Sequence, residues 1–206
     1  MRNSITGLVA AVSLFAFAGA ANASVIFTLG NNPQTGEQNI LFGSSQTGTT
    51  ITGATNQSNT PVQFTSSQSL TTGGVGQAFF SPTDSAALLT NFTFTVPGFT
   101  FGDFIFNPAV VGQPQGGGGT ATVTAVANDG TFVFTYNLGS GNNFLTITTA
   151  NGETLSSVSV SDPVGFNQLQ QPRVSTISVP VPEPATLALL GLGLVGLGLA
   201  RRSRAS

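Results

Sequence analysis

Six carboxylates and one guanidinium are the only ionisable groups of the kinds that do charged chemistry in the middle of this 206-residue chain. They are Glu37, Asp84, Asp103, Asp129, Glu153 and Asp162, with Arg173 as the cation. The sequence contains no His, no Cys and no Lys. A serine triad therefore lacks its base, and a Ser–Lys variant lacks its lysine. No disulfide, thiol nucleophile, or thiolate or imidazole metal site can form. A glycosidase needs only two carboxyl groups, so a carboxylate-pair hydrolase stays open on residue type alone. So does a calcium site built from Asp103, Asp129 or Asp162 with backbone carbonyls. Against both, no dense D-x-D loop occurs, and all six acids fall beside turns or strand ends, where Asp and Glu cap turns. Gly116 to Gly119 is followed by a Thr-rich strand and not by Lys and a helix, which makes it a flexible loop and not a phosphate cradle. Arg173 is expected to pair with a carboxylate, the alternative being a sugar or an acidic polymer. The expectation is no catalytic residue, no cofactor and no metal, hence no enzyme.

The elements that carry these residues follow from composition and period. Charged residues are 6% of the chain and the formal net charge is −2. From Ser24 to Pro180 the six acids and Arg173 give −5, so solubility rests on Ser, Thr, Asn, Gln and Gly. A chain with so few cations has little to neutralise phosphates, which excludes nucleic acid as a partner. Fifteen of the 17 Phe lie in this middle segment, where a disordered chain would be poor in aromatics. Apolar residues alternate with Thr and Ser in Asn91–Val96, Thr120–Val126, Thr131–Tyr136, Leu145–Thr148 and Val158–Val160, the pattern of half-buried strands. Asn128-Asp129-Gly130, Gly139-Ser140-Gly141-Asn142 and Asn151-Gly152 separate them, so residues 120 to 160 read as a four-strand meander. Further strands are expected at Val25–Leu29, Ile40–Phe42, Val62–Thr65, Gln77–Phe80 and Phe101–Phe106. One helical turn is expected over Asp84–Leu89, capped by Thr83 or Asp84. About ten strands with two amphipathic faces predict an all-β fold, an antiparallel, jelly-roll-like β-sandwich over residues 24 to 178.

The two ends read as addresses. Arg2, the apolar run Leu8–Ala18 and Ala21-Asn22-Ala23 form a secretory signal peptide over residues 1 to 23, with cleavage between Ala23 and Ser24. At the other end Val181-Pro182-Glu183-Pro184 leads into Ala185–Ala200, an apolar run whose sole polar member is Thr186. Arg201, Arg202 and Arg204 close it. The prolines forbid helix before the run, and Pro184 suits a first helical position. A helix of this length spans about 24 Å against a hydrocarbon core of roughly 30 Å. It is a marginal transmembrane helix, suited to transient residence in the inner membrane. Basic residues stay on the cytoplasmic side. Both tips therefore sit inside, and everything between them is pushed out.

This tripartite end, occupying about residues 179 to 206, resembles the PEP-CTERM sorting signal of Gram-negative bacteria. The resemblance implies processing by a membrane transpeptidase, exosortase, at or near Pro182-Glu183-Pro184, after signal peptidase has acted at the other end. It implies delivery to the cell surface or extracellular matrix, often beside exopolysaccharide synthesis. On that reading Val181 to Pro184 is the sorting motif, residues 185 to 200 the transient anchor, and Arg201, Arg202 and Arg204 in the basic tail 201 to 206 the cytoplasmic stop. The stretches Phe134–Leu145 and Gly165–Val174 are similar to domains found upstream of such tails, which implies a surface β-domain and nothing finer. In a bacterium the glycosylation patterns Asn56-Gln57-Ser58 and Asn91-Phe92-Thr93 are accidental.

Three roles fit an exported β-domain of this composition. A non-enzymatic matrix protein would touch exopolysaccharide through a neutral, hydroxyl- and amide-rich surface. A self-assembling protein would use strand edges that have almost no Lys or Glu to block pairing. An ice-binding face would use Thr-rich runs such as Thr47-Gly48-Thr49-Thr50-Ile51-Thr52, although regular repeats are missing.

Overall fold

Alternating side chains write the strands. Phe92, Phe94 and Val96 are buried, and the polar residues between them are half-exposed, as a strand with one dry face requires. The computed structural model describes residues 24–73, 76–111, 118–180 and 193. The expected signal peptide, the motif Val181–Pro184, the expected transmembrane helix over 185–200 apart from Gly193, and the arginine tail lie outside them. Among the described residues no helix is long and apolar enough to cross a membrane.

Thirteen strands are described. The first six are β1 (Ser24–Leu29), β2 (Gln38–Phe42), β3 (Thr47–Thr55), β4 (Pro61–Thr72), β5 (Gly76–Gln77) and β6 (Phe79–Pro82). There follow β7 (Leu89–Thr95), β8 (Asp103–Ala109), β9 (Thr120–Ala127), β10 (Gly130–Asn137), β11 (Leu145–Ala150), β12 (Leu155–Phe166) and β13 (Gln168–Ser175). All pair antiparallel, in the order β1-β11-β8-β13-β2-β3-β4-β7-β12-β9-β10, with β5 against β2 and β6 between β4 and β13. The all-β, antiparallel expectation holds. The two separate sheets of a sandwich are not what the hydrogen bonds give: β2, β3, β4, β6 and β13 close on one another as a five-strand barrel. β4 and β13 make the corners. The start of β4 pairs with β7 and its end with β6. In β13 a shift between Gln170 and Arg173 passes the strand from β6 to β2, the bend a bulge supplies.

Two arms leave the barrel, one through β8, β11 and β1 and the other through β7, β12, β9 and β10. Their inner faces meet through aromatic rings. Phe94 on β7 stacks on Phe104 of β8 at 4.1 Å, Phe92 meets Phe106 edge-on at 5.7 Å, and Phe27 on β1 stacks on Phe134 of β10 at 5.2 Å. Among the described residues nine Phe side chains are fully buried. Each stabilises the fold by about 1.5–3 kcal/mol against exposure, so rings supply the largest side chains of a core they share with buried Leu, Ile and Val.

The four-strand meander over 120–160 is corrected. β9 and β10 form the expected hairpin, but the next strand, β11, pairs with β8 and β1 on the other arm, and β12 returns to lie against β9 and β7. The cause is Asn143. Its side chain accepts from Gly139 N at 2.7 Å and donates to the carbonyls of Pro108, Gly139 and Gly141, while its own N–H reaches Asn107 Oδ1 at 2.7 Å. The loop is thus docked on the end of β8 and carries the chain across instead of turning it back. The helical turn expected after Thr83 is a tight turn, in which Asp84 accepts from Ala86 N through its side chain and from Ala87 N through its carbonyl. In β3 the Thr run is interrupted by a register shift between Gly48 and Thr50, so no regular threonine array forms.

Candidate functional site

Four of the six carboxylates, Glu37, Asp84, Asp103 and Asp162, are each held in a setting of their own. Glu37 precedes β2 and meets Arg173 of β13 at 2.5 Å, while its other oxygen accepts from Gln34 N. Arg173 also donates to Asn31. The single cation of residues 24–180 is therefore neutralised, the structural pairing expected for it. Asp103 on β8 accepts from the Ser175 hydroxyl directly across on β13. Asp162 on β12 is buried and accepts from Val164 N at 2.9 Å. Burial pushes the Tyr136 phenol well above its ordinary range, and the Asp162 carboxylate adds to the shift.

One acidic pair is brought together by the fold. Glu153 sits in the β11–β12 turn and Asp129 in the β9–β10 turn. The Glu153 carboxyl, 3% exposed, accepts from Asn128 N at 2.9 Å, and Asn128 Oδ1 accepts from Thr154 N at 2.7 Å. Burial first, and then the neighbouring Asp129, push the Glu153 carboxyl above its ordinary value of 4.5. The reciprocal bonds staple two turns together and leave one Glu153 oxygen without a partner among the described residues. Asp103, Asp129 and Asp162 do not converge: among the described residues no group of three or more His, Cys, Asp or Glu could hold a metal ion. Of the glycosylation patterns, Asn91 lies within β7 and donates to Ser67 and Thr90, while Phe92 beside it is buried.

Beside that staple the chain leaves the domain. After β13, Thr176 takes a left-handed backbone (φ 53°), and Ser178 forms a two-way bridge with Thr100 at 2.8 and 2.9 Å. Val179 and Pro180 are exposed and line a cleft with Thr100, Asn128, Gly152 and Thr154. Among the described residues Ser178 is thus the last one pinned by backbone hydrogen bonds before the Pro-Glu-Pro segment. The family described as PEP-CTERM protein-sorting motif matches residues 180–204. This chain carries a PEP-CTERM sorting motif. The PEP-CTERM match spans Val181, Pro182, Glu183, Pro184, Arg201, Arg202 and Arg204, and it marks the protein as exported and sorted by exosortase. No curated protein and no solved structure matches the chain. At the opposite end Ser24, the expected first residue after signal cleavage, is the first residue of β1, while Ala21 and Ala23 lie outside the described residues.

One surface feature escaped the sequence. Gln170 of β13 lies directly across from Phe79 of β6, and with Ala78, Gln168 and Gln171 they line an open groove of about 290 Å³. The only local hint was the Phe79-Phe80 doublet, which puts one ring on each side of a strand.

Proposed function

We propose that this protein is an exported, non-enzymatic surface or matrix protein, retained through its C-terminal signal and associated with exopolysaccharide. The PEP-CTERM motif over 180–204 is the observation that carries the reading. Signal peptidase cuts between Ala23 and Ser24, residues 24–178 form the displayed domain, and residues 179–206 are the address. Exosortase reads Pro182, Glu183 and Pro184 while the apolar run 185–200 rests in the inner membrane. Arg201, Arg202 and Arg204 hold the tip on the cytoplasmic side. The bridge between Ser178 and Thr100 supports this division, because among the described residues backbone hydrogen bonding ends there, just before the motif. The six described carboxylates serve turns and strand pairs, which favours a binding or structural role over a carboxylate-pair hydrolase.

Mass spectrometry of the protein recovered from the cell exterior tests the address. It should lack residues 1–23 and the apolar tail, and Glu183→Ala or Pro184→Ala should leave the tail attached. Normal trimming of those variants would remove the recognition role. A second reading, self-association, is favoured by one observation: the strands that end the sheet, β1 and β10, contain no charged residue.

A further inference from the structure

We propose that the groove beside Phe79 is a glycan subsite that takes a flat hexopyranose unit of a neutral, β-linked polysaccharide. The assignment rests on the exopolysaccharide reading above and gives it a place on the molecule. β6 and β13 pair with Phe80 opposite Leu169 and Phe79 opposite Gln170. Side chains alternate faces along a strand, and directly opposed residues share a face. Phe80 and Leu169 therefore go into the core, where both are fully buried, while Phe79, Gln170 and Gln168 come out together. Phe79 is 43% exposed, high for a ring in a domain that buries nine others completely.

The ring is bedded on purpose-shaped backbone. Gly73 lies against it, where a Cβ would collide with the ring carbons, and Gly73 N donates to the Phe79 carbonyl at 3.1 Å. The ring is thus packed on one side against main chain at Gly73, and its exposed part is a fixed apolar platform. Next to it Gln171 takes a left-handed backbone (φ 51°), with its N–H on the Ala78 carbonyl at 3.1 Å. A non-glycine residue there is uncommon, and such positions cluster where the backbone is shaped for binding. The twist brings Gln171 to the groove beside Gln168 and Gln170.

The chemistry of the lining selects the ligand. Each glutamine amide offers two donors and an acceptor, the set needed by paired sugar hydroxyls. Among the described residues the side-chain amides of Gln168 and Gln171 hold no hydrogen bond, and Gln170 receives a long one, 3.5 Å, from Asn107. An aromatic platform flanked by a few polar groups is the arrangement that orients a ligand in an otherwise apolar site. β-Linked hexopyranoses present flat C–H faces for such a ring and equatorial hydroxyls for the amides. No lining residue is charged, and Arg173 is committed to Glu37 and Asn31, so an anionic polymer finds no free cation on this domain.

Affinity electrophoresis of the exported protein tests the assignment, in gels containing hydroxyethylcellulose, laminarin, alginate or the producer's own exopolysaccharide. The two neutral β-glucans should retard it and alginate should not. Phe79→Ala should weaken the retardation about tenfold, the order expected for one lost aromatic contact. Gly73→Ala, which displaces the ring without deleting it, should do the same, and Phe79→Trp should preserve binding. Unchanged thermal melting of each variant confirms an intact fold. Retardation that survives Phe79→Ala and the double change Gln168→Ala/Gln170→Ala would overturn the groove while leaving the polysaccharide reading standing. Retention on the producer's polymer alone, or stronger retardation by alginate, would overturn the ligand class. Absence of retardation in every gel would overturn both the site and the reading on which it rests.

Discussion

Glu153 spends its carboxyl on a neighbouring turn, and the arrangement has a pH signature. Its folded pKa is raised, chiefly by burial and then by Asp129. A carboxyl raised in this way binds its proton more tightly when folded than when unfolded. The stability it contributes is fully present below the unfolded value, near 4.5, and is lost as pH rises through the folded value. At neutral pH the ionised side chain is therefore a cost. Glu153→Gln keeps the carbonyl oxygen that accepts from Asn128 N and supplies an N–H for the Asp129 carboxylate. It should stabilise the protein at pH 7 by about 1 kcal/mol, a rise in Tm of roughly 2–4 °C for a chain of this size. The gain should shrink as the pH falls towards 4.5, where wild-type Glu153 is itself protonated. Thermal melts of both proteins at pH 7 and pH 5 check this; identical differences at the two pH values would remove Glu153 from the account.

At the scale of elements, β1 and β10 are the two strands that end the sheet, and they meet through the Phe27–Phe134 stack. Natural edges are blunted by Lys, Pro or bulges, and β1 and β10 have none of these. Val133, 61% exposed at the middle of β10, marks the place to add a block. The wild-type protein should sediment faster as its concentration rises through antiparallel β10–β10 pairing, a self-complementary two-fold contact. Val133→Lys should hold it at the monomer while changing stability by no more than about 0.5 kcal/mol. A strictly monomeric wild type, or a variant that associates equally well, would rule out this edge. Strands such as β7, β9 and β10 were legible because alternation is local: each Phe or Val on the dry face is announced two residues away. Their partners were not. β1 pairs with β11 and β2 with β13, and nothing near Ile26 or Asn39 says so. The turn at Gly139–Asn143 carried the composition of a hairpin, but the hydrogen bonds of Asn143 to β8 decided otherwise. The groove at Phe79 was hidden for the same reason, since its two sides come from distant parts of the chain. The sorting address was legible because a linear signal is read by an enzyme as sequence and needs no fold to assemble it.

The whole domain releases both of its ends at one place. Ser24 is paired with Ala150 at the last position of β11, and two residues further on Gly152 lines the cleft that also contains Val179 and Pro180. Entry to β1 and exit after Ser178 therefore flank the same β11–β12 turn, beside the Asn128–Glu153 staple. This suits a chain whose two apolar segments, 8–18 and 185–200, are both expected to start in the inner membrane with their tips inside. A domain whose ends emerged on opposite sides would have to reach the bilayer around its own body. Here both ends of the described domain lie beside one turn, and β1, which begins at Ser24, is a sheet edge. The domain should fold whether or not the first tether has been cut. Ala23→Leu, which removes the small residue expected before the signal-peptidase cut, should leave the protein anchored at its N-terminus, yet limited proteolysis of spheroplasts should still release an intact core of residues 24–180. Degradation of that core only when cleavage is blocked would show that β1 docks against β11 after the signal peptide has gone, and would make signal removal a step in folding as well as in export.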